Sequence, residues 1–226
     1  MPSPRRATPD NVERTSFIPE LGIQTFRFYH GNKPGLQVVL KNKNTDFQGS
    51  GAYFNMLMDC GSRQEKPHQL GGAHLLEHAC FLGLGSSPEG PRDEYFWSVQ
   101  GVRDNNNAWT EVNGINYSAT TEASNYNNLM HTFAKMLSGA NLEKLEDNRY
   151  YHQEQQNVVS EDHRGRSASS SARRTLVAAT CMVNTALGLN NANPTIGVQD
   201  VYTSMSPEDL RVLHKQMFCP SRATLV

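Results

Sequence analysis

His74-Leu75-Leu76-Glu77-His78 constrains this chain more than any other stretch. A helix turns by about 100° per residue, so His74 and His78 share one face, with Glu77 beside them. That face can hold one metal ion. Imidazole is a good zinc ligand, and a carboxylate next to the ion can take the proton of a water whose pKa the ion lowers to about 7. The bland alternative is an amphipathic helix with a polar edge, in which Leu75, Leu76, Cys80, Phe81 and Leu82 pack inward and the histidines are satisfied by neighbours. The flanking sequence has to decide between the two.

At 226 residues the chain can bury most of its apolar surface without disulfides, and one domain is the natural count. A net charge of −1 with 19% charged residues gives no electrostatic case for nucleic acid or an anionic membrane, so the partner must be read from the site. Cys60, Cys80, Cys181 and Cys219 contain no C-x-x-C pair. They spell neither a zinc ribbon nor a thioredoxin-like centre, and read as buried free thiols in a reducing compartment. No run approaches the roughly 18 apolar residues of a membrane span. The opening Met1-Pro2-Ser3-Pro4-Arg5-Arg6 has no apolar core, and Asp10 and Glu13 follow early, which fits a transit peptide poorly. The cytoplasm is the expected location, with an organelle matrix left open.

Residues 1–20, rich in Pro, Arg and Thr, read as a disordered lead-in, and 21–226 as the folded domain. A β-prone stretch from Ile23, a turn at 31–35 and Leu36 to Leu40 make a hairpin, and Ala52 to Asp59 a more buried third strand. The motif helix follows and stops near Gly83-Leu84-Gly85. Asp93 to Gln100 reads as a short helix. Asn105 to Thr110, a turn at Asn113-Gly114 and Ile115 to Thr120 form a second hairpin. Further helices are expected from Ser124 to Leu137, Glu146 to Asp162, Ala172 to Leu187 and Ser206 to Met217, the last with Ser206 as N-cap, Pro207 at the first position and Asp209 at the third. Gly165 to Ser171 reads as an interruption, and Arg222 to Val226 as a strand.

Three patches together resemble the insulinase/pitrilysin family of zinc peptidases, whose reversed H-x-x-E-H order is the inverzincin motif. His74-Leu-Leu-Glu77-His78 precedes Phe81-Leu82-Gly83. Asn107-Ala108-Trp109-Thr110, with Asn116-Tyr117 after it, resembles the family's N-A-x-T hairpin. Glu154-Gln-Gln-Asn-Val-Val-Ser160-Glu161 resembles its distal helix, with two glutamates seven residues apart. The resemblance implies an α+β fold, a mostly antiparallel mixed sheet with helices packed on one face. It implies Zn2+ held by His74, His78 and the later glutamate, Glu161, with Glu154 in support two helical turns earlier. If the register is mistaken, Glu154 is the ligand. The spacing from His78 implies an insertion around Ala140 to Tyr150.

Physical chemistry independently wants a carboxylate, because catalytic zinc takes three protein ligands and leaves one position open. The implied activity is zinc-dependent endopeptidase action with Glu77 as the base. Asn107 and Ala108 are expected to meet the backbone of a peptide substrate added as a strand, and Trp109 either to line a side-chain pocket or to be core. Family members that cleave peptides close a chamber from several such domains or two subunits. The chain is therefore expected to need a C-terminal half or second subunit, or to be a non-catalytic, partner-dependent subunit, a reading disfavoured by the presence of Glu77. A reading from another class is a small metal-dependent lyase that cleaves S-ribosylhomocysteine and completes H-x-x-E-H with a distal cysteine, for which Cys181 is the candidate. His30, His68, His131, His152, His163 and His214 read as surface or core residues, with His163 pointing away from Glu161.

Overall fold

Alternating side chains along β-prone stretches assemble seven strands into one sheet in the computed structural model of the protein, which describes residues 11–41, 51–84, 106–143, 145–147, 150–168 and 195–226. In chain order they are β1 (Val12–Ile18), β2 (Ile23–His30), β3 (Lys33–Lys41), β4 (Gly51–Met58), β5 (Asn106–Thr110), β6 (Ile115–Glu122) and β7 (Ala223–Leu225). Across the sheet the order is β1-β2-β3-β7-β4-β6-β5. Among the described residues only β3 and β7 pair in parallel. The three residues of β7 thus bridge the first hairpin to the rest of the sheet.

Strand side chains alternate between faces, and the pairing keeps matched residues together. Met56 faces Tyr117 on β6 and Leu225 on β7, while Met58 faces Ile115 and Ala223. All six are buried. Their neighbours Tyr53 and Leu57 point to the other side and are exposed. The described helices are α1 (Gly72–Ala79), α2 (Tyr126–Ser138), α3 (Tyr151–Ala168), α4 (Gln199–Ser204) and α5 (Pro207–Met217). They pack on the Met56 and Tyr117 face: Tyr126 meets Phe54 edge-on at 5.7 Å, and Phe218, just past α5, meets Tyr117 at 6.3 Å. The fold is the expected α+β arrangement. Among the described residues no helix is long and apolar enough to cross a membrane.

Order begins earlier than the lead-in reading of residues 1–20 expects. Strand β1 starts at Val12 and pairs antiparallel along β2. Its side chains are mostly exposed, so backbone hydrogen bonds to β2 hold it without an apolar pattern in the sequence. Helix α3 also differs: it starts at Tyr151, after a separate 3-10 turn at Leu145–Asp147, and runs through Gly165 to Ala168. A single glycine costs a helix only about 1 kcal/mol relative to alanine, too little to end it. Helix α5 matches its expected cap, since Ser206 Oγ accepts from the Asp209 N–H at 3.2 Å and Asp209 Oδ2 accepts from the Ser206 N–H at 2.8 Å. The helices expected at Asp93 to Gln100 and Ala172 to Leu187 lie outside the described residues.

Candidate active site

Helix α1 is buried on nearly every side. Leu75, Leu76, Ala79 and Cys80 are fully enclosed, leaving the His74 edge as its way to solvent. Helix α3 crosses beside it, and its roll is fixed by two polar ties. Tyr151 Oη donates to the Met205 carbonyl at 2.7 Å, and Gln155 Nε2 donates to the carbonyls of Thr203 and Met205 at 3.1 and 3.0 Å. With that roll set, Glu154 and Glu161, about two turns apart, both face α1.

The two carboxylates meet different atoms. Glu161 Oε2 lies 3.3 Å from Nε2 of His74 and 3.6 Å from Nε2 of His78. Glu154 Oε2 lies 2.9 Å from Nδ1, the other ring nitrogen of His78, and also accepts from Asn157 Nδ2 at 3.1 Å. A proton on Nδ1 held by Glu154 leaves the Nε2 lone pair of His78 free for a metal. Zinc bonds of about 2.0–2.1 Å put tetrahedral ligand atoms roughly 3.3–3.4 Å apart, close to the spacing of Glu161 from both imidazoles. The donor set fits zinc. Burial opposes a charged His78, but hydrogen bonds to Glu154 and Glu161 and the charge of Glu77 outweigh it and hold its pKa up to about 9. Hydrogen bonds from His74 and then His78 hold the Glu161 carboxyl well below the usual carboxylate range. Glu77, Glu154 and Glu161 thus surround the two imidazoles with carboxylates.

Glu77 stands on the same face. Ligand atoms of His74, Glu77 and His78 lie within 4.8 Å of one another, so geometry alone admits Glu77 as a third ligand in place of Glu161. Two observations favour Glu161 in that place. It lies near tetrahedral spacing from both Nε2 atoms, whereas Glu77 Oε2 accepts a hydrogen bond from Thr110 Oγ1 at 2.7 Å. Thr110 ends β5, so the edge strand and the carboxylate are joined directly.

A cleft of about 540 Å³ lies over these groups, lined by residues of β5 and by Phe81, Thr195 and Ile196. All three residues expected at the substrate edge line it: Asn107, Ala108 and Trp109. Strand β5 is the last in the sheet, and its Ala108 N–H donates to Asn107 Oδ1 at 3.0 Å. Trp109 is 37% exposed, and it alternates with Ala108 and Thr110 along the strand. Sequence reasoning gave no role to Thr110, Thr195 or Ile196. Thr110 was legible as the last residue of the N-A-x-T patch; nothing local marks Thr195 and Ile196, which reach the cleft only through the fold. Cys80 is core, its thiol pushed up to about 12 by burial. His163 turns away from the site toward Gln199 Oε1, at 3.4 Å.

A model of the insulinase family, peptidase family M16, matches residues 37–195. The chain belongs to this family. Its match includes the whole α1 motif, β5 and both glutamates of α3. This insulinase-family chain is 29% identical over 175 residues to the probable zinc protease PqqL of Escherichia coli strain K12, an alignment covering 74% of the chain and 17% of that relative. The crystal structure of the periplasmic protease PqqL from Escherichia coli superposes with a TM-score of 0.70 at 21% identity, over 84% of this chain and 20% of that one. Pitrilysin superposes at 0.64 and 16% identity, over 90% and 20%. These structural likenesses speak for the fold. The chain spans about a fifth of the length of these relatives. With the family established, the lyase reading is not favoured, and its candidate Cys181 lies outside the described residues.

Proposed function

We propose that this domain is the zinc-binding catalytic part of an endopeptidase that hydrolyses peptides or small unfolded polypeptides. The observation that carries the reading is Glu161, which faces both imidazole Nε2 atoms while Glu154 holds the opposite nitrogen of His78. His74, His78 and Glu161 would hold the metal, and Glu154 would fix the tautomer and direction of His78. Zinc bound there supplies a Lewis acid that acidifies water and polarises a carbonyl.

Glu77 accepts the proton of the attacking water and passes it to the leaving amine. The Thr110 hydroxyl holds one oxygen of that carboxylate, which keeps the base in register with β5. The outer edge of β5 aligns the substrate backbone as an added strand, displacing Asn107 Oδ1 from the Ala108 N–H. Phe81 and Ile196 offer apolar walls for side chains next to the scissile bond.

A partner completes the enzyme. The chain matches only about a fifth of PqqL and of pitrilysin, and its cleft is open. An open cleft keeps water at the reacting bond and orders little of the substrate, so positioning and electrostatic stabilisation contribute little. The isolated chain is expected to cleave a quenched fluorescent peptide of about ten residues feebly, and a C-terminal half supplied in a longer polypeptide or separately is expected to raise turnover by orders of magnitude. Glu77→Gln in that complex keeps the metal and loses hydrolysis. Near-normal turnover by Glu77→Gln removes Glu77 as the base, and efficiency on the order of 10⁴ M⁻¹s⁻¹ by the isolated chain removes the partner requirement.

A further inference from the structure

Helix α1 carries no cap of its own. Its N-cap is Gly71, at φ +94°, with no side chain to accept from the first N–H groups. A side chain has no room there, since a Cβ on Gly71 would come within 2.7 Å of Tyr202 Cδ1 and one on Gly72 within 2.7 Å of Leu213 Cδ2. The helix therefore starts on two glycines pressed against α4 and α5, and the N–H groups of its first turn need acceptors from elsewhere.

A buried carboxylate supplies them. Glu65, seven residues before the helix, accepts from the Gly71 N–H through Oε2 at 3.0 Å and from the Ala73 N–H through Oε1 at 2.7 Å. At the other end Asn141, from the 3-10 turn after α2, donates through Nδ2 to the carbonyls of Cys80 and Leu82 at 2.9 and 3.1 Å. Asn141 is 5% exposed and Glu65 7%. Each end thus meets its hydrogen-bonding complement, acceptors at the N–H end and a donor at the carbonyl end.

The spacing ties these caps to the metal face. Ala73 immediately precedes His74, and Cys80 follows His78 by two residues. An eight-residue helix is too short to hold itself, so what grips its ends sets its position and roll. We infer that Glu65 and Asn141 form a two-ended clamp on α1 that holds Nε2 of His74 and of His78 at ligand spacing, which makes them positioning residues for the metal site. The inference rests on the zinc reading above. It adds two residues that touch neither metal nor substrate.

The test compares Glu65→Gln and Asn141→Ala with the wild type, using Zn2+ alone against a chromophoric chelator and Co2+ as a spectroscopic probe, at a temperature where circular dichroism shows each variant folded. The amide of Glu65→Gln keeps one acceptor but turns a donor toward the second N–H. The clamp predicts zinc affinity weakened about tenfold in each variant, with visible Co2+ bands shifted and weakened as the ligand set loosens. Val38→Ala, a loss of packing in β3, which holds neither clamp residue nor ligand, should lower the melting temperature and leave the affinity and the bands unchanged. Both clamp variants melting early, yet binding zinc within twofold of wild type with unaltered Co2+ bands, would reduce the clamp to an ordinary cap and overturn the proposal. If Glu65→Gln does not fold, Asn141→Ala alone decides by the same two readouts. A wild type that takes up no metal fails differently, since it removes the zinc reading and the clamp with it.

Discussion

The two halves of the sheet are built differently. Around β4, β6 and β7 the inward residues are sealed under helices, and Leu75, Leu76, Ile115, Leu210 and Leu213 have no solvent exposure. The wing formed by β1, β2 and β3 turns apolar side chains toward the same side, yet Phe17 remains 49% exposed and Leu40 53%. Both halves have comparable backbone pairing. What separates them is side-chain burial. Since buried apolar surface dominates stability, helix α1 sits in the half that resists distortion, and the wing contributes less to holding the candidate site.

Substitutions can break that comparison. The largest effect is expected at α1: Leu76→Ala should cost about 2–5 kcal/mol, the range for a large core residue whose cavity cannot collapse. Phe17→Ala in the wing should cost less than about 1 kcal/mol, because half its surface is already in water. Urea midpoints of the two variants measure both. Equal losses would mean that the wing is covered in solution and that the contrast is false.

An intermediate effect separates the two glutamates of α3. Glu161→Gln should weaken zinc binding far more than Glu154→Gln, since one loses a ligand atom and the other an orienting group worth about 10–100-fold. The reverse ranking in a chelator competition would hand the ligand role to Glu154.

The smallest effect concerns pH. Burial pushes the His214 imidazole below its usual range, although its Nε2–H donates to the Met136 carbonyl at 2.7 Å. The unfolded chain then binds more protons than the native one between the folded pKa and 6.5, so this contribution to stability is lost as pH falls through that window. Glu65 acts with the opposite sign: burial raises its pKa to about 7, so the native state holds more protons between 4.5 and 7 and loses stability as pH rises. Comparing wild type with His214→Gln isolates the contribution of His214. The stability advantage of the wild type should shrink between pH 7.5 and 5.5, and an advantage that grows would show the sign to be wrong.

Much of the site was legible in the sequence because its parts are local. H-x-x-E-H fixes two imidazoles and a carboxylate through helix geometry alone, and the i, i+7 glutamates share a face for the same reason. Spacing alone left open which glutamate meets which nitrogen, and only the resemblance favoured Glu161, because the answer depends on the roll of α3, set by Tyr151 and Gln155 reaching carbonyls of residues 203 and 205. Strand β1 was missed for a related reason. It is an edge strand held by backbone bonds, and an exposed strand leaves no apolar alternation to read. Glu65 and Asn141 were invisible because a cap supplied from outside a helix has no fixed spacing to it.

The proposed zinc site is made by His74, His78 and Glu161. Zinc bound per chain, measured by elemental analysis after loading with excess zinc and desalting, tests it most directly when wild type, His74→Ala and Glu161→Gln are run together. About one zinc is expected in the wild type, none in His74→Ala and a strongly reduced content in Glu161→Gln, because tight binding needs all three ligands. A wild-type chain that emerges metal-free, or a Glu161→Gln variant that holds zinc as tightly as wild type, would contradict it.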